Sequence, residues 1–287
     1  AAVYAARKQL DFSVLTKDIG GQTIWSSDVE NYTGFQFISG PDLAQKFRDH
    51  LAQYKFDLQE GVEVAKVSRV AKGAKVATNF SVVTTDGQIL ETKTIIVASG
   101  KIPRLLNVPG EEKYKGKGVT YCATCDGPLF AGKTVAVIGG GNSGLDAALQ
   151  MMKISPKVYL LTDIDKLTGD AVMQEKLKAA ANVEIIYKAK VQGISGEMMV
   201  KGLKLDDRDL ALEGIFVEIG LVPHSTFIDF VDKNDKGEIV INCGAQTSVP
   251  GIFAAGDVTD VPAKQIVIAA GDGAKATMAA SKYLATH

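Results

Sequence analysis

The stretch A-G-K-T-V-A-V-I-G-G-G-N-S-G-L-D-A-A-L-Q, Ala131 to Gln150, decides how the rest of the chain is read. It opens on a turn signal, passes through a buried-strand pattern from Val135 to Ile138, and meets Gly139-x-Gly141-x-x-Gly144. Leu145, Ala148, Leu149 and Met152 then recur at helical spacing. Three glycines alone are a weak signal, but between a strand and a helix they stand where a dinucleotide-binding loop needs them. The first makes the tight turn, the second lets the backbone approach a pyrophosphate, and the third lets helix pack on strand. The helix N-terminus then presents free N–H groups and a partial positive charge to the phosphates.

Downstream, a second strand from Lys157 to Thr162 ends in Asp163, 19 residues beyond Gly144. A carboxylate at about that distance bonds the ribose hydroxyls of NAD and repels the extra phosphate of NADP, so NADH is expected over NADPH. Asp163 and Asp165 also fit as plain loop carboxylates, and Lys166 blurs the sign of the local charge. Val183 to Tyr187 and Lys190 to Gly193 read as strands, and Gly202 to Leu205 is expected to pair with Ile215 to Gly220.

The outer segments form a second system. Thr94 to Gly100 (T-I-I-V-A-S-G) is a buried strand ending in a small-residue turn, and Gly251 to Asp257 (G-I-F-A-A-G-D) repeats that form. Asp257 follows a strand-end glycine, which places it at the carboxyl edge of a sheet, where α/β folds bind ligands. The segment from Lys264 leads into a helix expected over Ala274 to Leu284, whose N-terminal dipole can serve a group that gains negative charge on reduction.

Composition narrows the function. A formal net charge of -1, with no long run of Lys or Arg, gives no electrostatic reason for nucleic acid or an anionic membrane as partner. No apolar run approaches the ~18 residues of a membrane span and no signal peptide opens the chain, so a cytoplasmic protein is expected. Only three cysteines occur in 287 residues, two of them in T-Y-C-A-T-C-D-G, Thr120 to Gly127. A staple, half a metal site and a redox dithiol are the three readings of Cys122 and Cys125. A tetrahedral zinc needs four ligands, and the remaining Cys243, His50, His224 and His287 offer no second paired spacing, so no metal is expected. Cys243 is expected to be a buried small residue, Trp25 a packing residue and His224 a loop residue.

The order C-A-T-C-D-G-P, V-I-G-G-G-N-S-G, G-I-F-A-A-G-D and K-Q-I-V-I-A-A-G-D-G-A resembles the low-molecular-weight thioredoxin reductases. It is especially similar to the branch containing the flavoprotein subunit of alkyl hydroperoxide reductase. Gly20 to Thr23 (G-G-Q-T) and Val29 to Phe35 (V-E-N-Y-T-G-F) match the flavin-side segments, so the resemblance spans essentially the whole chain.

The resemblance implies an α/β fold of two dinucleotide-binding, Rossmann-like domains, the nicotinamide domain (115–244) inserted into a discontinuous FAD domain (1–114 and 245–287). Cys122 and Cys125 would be the redox pair, Cys125 facing the flavin and Cys122 attacking the partner, with Asp126 protonating the departing thiolate. Gly20, Gly21, Gln22, Thr23, Asn31, Gly256, Asp257, Lys264, Gln265 and Ile266 would line FAD. Gly139, Gly141, Asn142, Ser143 and Gly144, with Asp163, would hold the nicotinamide dinucleotide. Hinges would lie near Glu112 to Gly118 and Asn242 to Ala245, where plain linkers are the other reading. The implied activity is reduction of a protein disulfide, on thioredoxin or a peroxiredoxin system, by a homodimer. A non-catalytic nucleotide-sensing module and a peroxide-forming flavin oxidase are the competing classes.

Two departures matter. T-D-I-D, Thr162 to Asp165, replaces the basic pair of NADPH-dependent members and pulls toward the NADH-linked peroxidase-reductase branch, which carries an extra N-terminal domain with its own C-x-x-C. The chain also opens as a helix under way, A-A-V-Y-A-A-R-K-Q-L, followed by a strand Phe12 to Thr16, without the strand and glycine loop that open family members. A sheet lacking its middle strand leaves backbone groups unpaired, so a chain beginning at Ala1 is expected to bind FAD poorly.

Overall fold

The computed structural model describes residues 1–25, 29–70 and 80–287. The chain divides into two compact units, one continuous from Pro103 to Leu221, the other built from Ala1–Ile102 and Val222–His287. The second crossing lies earlier than the expected boundary at 244. Ile228, Val231 and Ile239 are buried in one cluster with Val97, Ile252 and Ala254, which ties residues 222–244 to the outer unit.

The continuous unit is organised by a five-stranded parallel sheet in the order Val183–Ile186, Val158–Leu161, Val135–Ile138, Gly214–Val217, Val119–Thr120. The strands Val135–Ile138 and Gly214–Val217 are buried on both faces, which is why the sequence shows unbroken apolar runs there. Successive side chains point to opposite sides. Val135, Val137 and Phe216 pack with Leu145, Ala148 and Met151 of the helix Asn142–Met151. Ala136, Ile138, Ile215 and Val217 pack instead with Ile194, Leu203, Leu205 and Leu210. Each of the larger of these side chains contributes about 1.5–3 kcal/mol of burial.

That second layer corrects one expectation. The strand Val200–Leu205 pairs with Val191–Gly196 and Asp209–Ala211 in an antiparallel sheet, while Gly214–Val217 joins the parallel one between Val135–Ile138 and Val119–Thr120. The turn at Asp206–Arg208 closes a local hairpin, through the Leu205 N–H bond to the Arg208 carbonyl, before the chain returns.

In the outer unit Ser13–Thr16 pairs in parallel with Asp57–Glu60, and Ile95–Val97 with Ile252–Ala254. Val64–Arg69, Phe80–Thr84 and Ile89–Thr92 form an antiparallel sheet. The last helix runs from Ile266 to Leu284, starting well before Ala274. Gly271 and Gly273 do not break it, and a Cβ on Gly273 would come within 2.9 Å of the Ala1 nitrogen, so close approach of the first helix accounts for that glycine. Cys243 is exposed, not buried, because it lies in the turn after Ile241 with no apolar surface over it. The Trp25 side chain lies outside the described residues.

Candidate active site

The glycine loop takes the form the sequence implies. Gly139 has φ +144°, and a Cβ there would lie 2.1 Å from the Glu218 carbonyl oxygen. A Cβ on Gly144 would lie 2.0 Å from the Gly139 carbonyl oxygen, so the loop and the helix Asn142–Met151 meet too closely for any side chain. Gly141 differs: the nearest atom to a Cβ there is Thr168 Oγ1 at 3.8 Å, leaving open space above the loop. The loop after the second strand clasps it from one side. Thr168 N–H donates to the Gly140 carbonyl at 2.8 Å, and Asp170 N–H to Asn142 Oδ1 at 2.7 Å. Asn142 thus spends its oxygen on the loop, while Ser143 is exposed. Asp163 is exposed and lies two residues past Leu161, which pairs with Ile138, so it stands at the same sheet edge as the glycines.

On the other side of the strand Gly214–Val217, the edge strand Val119–Thr120 leads through Tyr121 into Cys122. Cys122 and Cys125 form a disulfide with Cα atoms 5.3 Å apart. Cys122 caps the short helix Ala123–Asp126, its Sγ accepting the Cys125 N–H at 3.1 Å. Cys125 is exposed and Cys122 half-buried. The Thr120 hydroxyl donates to the Asp126 carboxylate and accepts the Cys122 N–H, so one side chain ties the acid to the first cysteine.

Four further residues attend this turn that sequence reasoning missed. Thr124, between the cysteines, donates to Gln150 Oε1 at 3.3 Å, and Gln150 Nε2 donates to Asp146 at 2.7 Å. Asp146 and Gln150 are four apart on one helix, a spacing visible in the sequence but ordinary on any exposed helix face. Glu218 follows the apolar run of the strand Gly214–Val217 and is half-buried. Burial pushes its carboxyl up to about 7, and the Asp146 charge adds to this against a hydrogen bond from the Ala123 N–H.

In the outer unit the structure brings together several of the residues expected on the flavin side. Asn31 Nδ2 donates to Gln265 Oε1 at 3.0 Å, immediately before Ile266, and Gln22 Nε2 to the Lys101 carbonyl at 2.8 Å. Gly20 (φ +122°) and Gly21 (φ +49°) lead into the turn Gly21–Trp25, where Thr23 N–H bonds the Gly20 carbonyl. Gly256 (φ +72°) and Asp257 follow the strand Ile252–Ala254. Lys264 is held by Glu238 at 3.1 Å and by the Thr259 carbonyl. Among the described residues no cluster of His, Cys, Asp or Glu could hold a metal.

A model of pyridine nucleotide-disulphide oxidoreductases matches residues 1–276. The chain belongs to that family. Among its relatives is the F subunit of alkyl hydroperoxide reductase from Pseudomonas putida, 44% identical over 99% of this chain and 55% of that protein. The chain therefore spans about half the length of the curated relatives it matches. Among solved structures, thioredoxin reductase of Lactococcus lactis in its FR conformation superposes with TM-score 0.83 at 30% identity, covering 100% of this chain and 95% of that one. T. acidophilum thioredoxin reductase gives 0.79 at 37% identity, covering 99% and 93%.

Membership of the family implies FAD and a pyridine nucleotide. The residues present fit both. The open space at Gly141 is a cradle that a Cβ would enter, before a helix whose first N–H groups have no intrahelical acceptor. In the outer unit the helix Ile266–Leu284 starts without a side-chain cap, and buried Asp272 Oδ2 has no hydrogen-bond partner among the described residues. No described helix is long and apolar enough to cross a membrane.

Proposed function

We propose that the chain is the flavin-dependent part of an NADH-linked disulfide reductase, in which Cys122 and Cys125 pass two electrons to a disulfide of a small redox protein. The observation that carries this is the closed Cys122–Cys125 disulfide beside the carboxyl edge of the sheet that also presents the glycine loop. Gly139, Gly141, Asn142, Ser143, Gly144 and Asp163 would hold the nucleotide, and the outer-unit residues named above would line FAD. Bound together, these groups supply a hydride and convert it to an electron pair that a disulfide can accept.

The chain's own chemistry is thiol–disulfide exchange. Cys122 is assigned as the attacking thiol because the Cys125 N–H directed at its sulfur favours a thiolate there. That thiolate attacks one partner sulfur, the partner S–S bond breaks, and a mixed disulfide forms. Cys125 then displaces the partner and closes the Cys122–Cys125 bond. Asp126, tied to Cys122 through Thr120, is in place to hand a proton to the departing thiolate. The greater exposure of Cys125 argues the other way, so trapping decides: Cys125→Ser should accumulate a mixed disulfide with partner and Cys122→Ser should not.

Greater identity to the F subunit of alkyl hydroperoxide reductase than to the thioredoxin reductases favours a peroxiredoxin system over thioredoxin. A homodimer acting in the cytoplasm completes the proposal, on resemblance alone. The test is an anaerobic titration of the FAD-loaded protein with NADH and, separately, NADPH, following flavin absorbance and free thiols together. Bleaching by NADH with two new thiols per chain is expected; bleaching without thiols, or with NADPH alone, would overturn the relay or the nucleotide assignment respectively.

A further inference from the structure

Glu218 occupies a place that neither the nucleotide site nor the exchange chemistry accounts for. The strand before it, Gly214–Val217, lies between Val135–Ile138 and Val119–Thr120, and the register pairs Phe216 with both Thr120 and Val137, and Val217 with Ile138. One step further along, Glu218 lies between the start of the glycine loop at Gly139 and the start of the redox turn at Cys122. Its N–H donates to the Ile138 carbonyl at 2.8 Å, and its own carbonyl excludes a side chain at Gly139. Its carboxyl meets the Ala123 N–H, inside the C-x-x-C turn. The charged groups around it are few. Asp146 acts on it from the helix Asn142–Met151, with its own carboxylate held by Gln150, and the turn that supplies the Ala123 N–H also carries Cys122, Cys125 and Asp126, which is engaged by Thr120. Among the described residues no cation acts on it, so a thiolate formed at this turn adds negative charge near a half-buried carboxyl.

We propose that Glu218 is a redox-linked proton carrier for the Cys122–Cys125 couple, binding a proton when the disulfide is reduced and releasing it when the disulfide closes. This rests on the dithiol reading given above. With glutathione as reductant, two thiols deliver two electrons and two protons. The protein S–S bond breaks, one glutathione S–S bond forms, one proton stays on a cysteine thiol, and the other moves onto the Glu218 carboxylate in place of the bulk solvent. The second cysteine is left as a thiolate whose charge is offset by neutralisation of Glu218. A carboxyl already poised near neutrality by burial is suited to this, since a small further push changes its protonation in the working pH range.

The test is the equilibrium of the full chain with reduced and oxidised glutathione between about pH 7 and pH 8, read by thiol counting after acid quench. The wild-type constant for reduction should stay nearly level, because the released proton is retained by the protein. Glu218→Gln should show a constant rising about tenfold per pH unit, since that proton now goes to solvent. Glu218→Asp, which keeps a carboxyl, should keep the level response. Equal slopes in wild type and Glu218→Gln would overturn the proposal, and so would a tenfold rise per unit in wild type alone, which needs no variant to fold. Neither nicotinamide nor partner enters this measurement, so absence of reductase activity with the level response intact would sink the functional reading and leave the proton carrier standing.

Discussion

At the scale of single residues, a buried carboxylate is stable only if its charge is met. Glu238 is almost wholly inaccessible, with Lys101 Nζ and Lys264 Nζ each 3.1 Å from Oε1 and Asn234 Nδ2 2.8 Å from Oε2. Burial alone would raise its carboxyl, but these three donors reverse that and hold it at about 2. A carboxyl depressed in the fold stabilises it above its unfolded value and loses that contribution as pH falls through the folded value. Glu238→Gln should therefore cost about 2–4 kcal/mol near neutrality, since it strands two partly buried ammonium groups, and the deficit should shrink between about pH 4.5 and pH 2. Urea denaturation at stepped pH would show it; a deficit independent of pH would mean that packing, not charge, is lost. At the opposite extreme Asp163 is exposed, and Asp163→Ala should leave stability within about 0.5 kcal/mol while lowering the preference for NADH over NADPH about tenfold in fluorescence titrations. Residues of this kind differ in how readable they are. Cys122, Cys125 and Asp126 announce themselves because their chemistry is written in adjacent positions. Glu218 does not, because its neighbours Gly139 and Cys122 meet it only through strand register, far away along the chain.

Elements were legible where period and punctuation agree. The strand Val135–Ile138, the three glycines and the helix Asn142–Met151 stand where the sequence puts them, because strand, turn and helix signals fall in one uninterrupted run. The strand Val200–Leu205 was legible as a strand but not in its partner, since apolar alternation states which residues face a core and not which sheet covers it. Helix Ile266–Leu284 looks shorter in the sequence because Gly271 and Gly273 resemble stops until the neighbouring helix that approaches Gly273 is known. The glycine loop yields the sharpest prediction at this scale. Gly144→Ala places a methyl group 2.0 Å from a backbone oxygen, so strand and helix must separate; a loss of about 3 kcal/mol or more and of nucleotide binding is expected. Gly141→Ala meets nothing closer than 3.8 Å, so it should unfold at nearly the wild-type urea midpoint yet bind NADH at least tenfold more weakly. Equal stability loss in both variants would mean that the glycines serve packing alone.

At the scale of the whole molecule, the division of the chain sets what can fold without what. The unit Pro103–Leu221 is one continuous segment with two hydrophobic clusters of its own, one on each face of its parallel sheet. The outer unit is discontinuous: Val67, Phe80 and Val97 share a buried cluster with Ile228, Ile239 and Ile252, so neither of its halves closes a core alone. A segment with a complete core and both faces of its sheet covered meets the requirement for an independent domain. The isolated 103–221 segment is therefore expected to fold cooperatively, close the Cys122–Cys125 disulfide and bind NADH without FAD, while residues 1–102 alone should remain unfolded. Thermal melts by circular dichroism, with nucleotide titration of the same samples, would check this. A non-cooperative 103–221 segment would show that its core is completed from outside, and the second crossing of the chain would then have to be sought beyond Leu221, nearer to the hinge expected at Asn242 to Ala245.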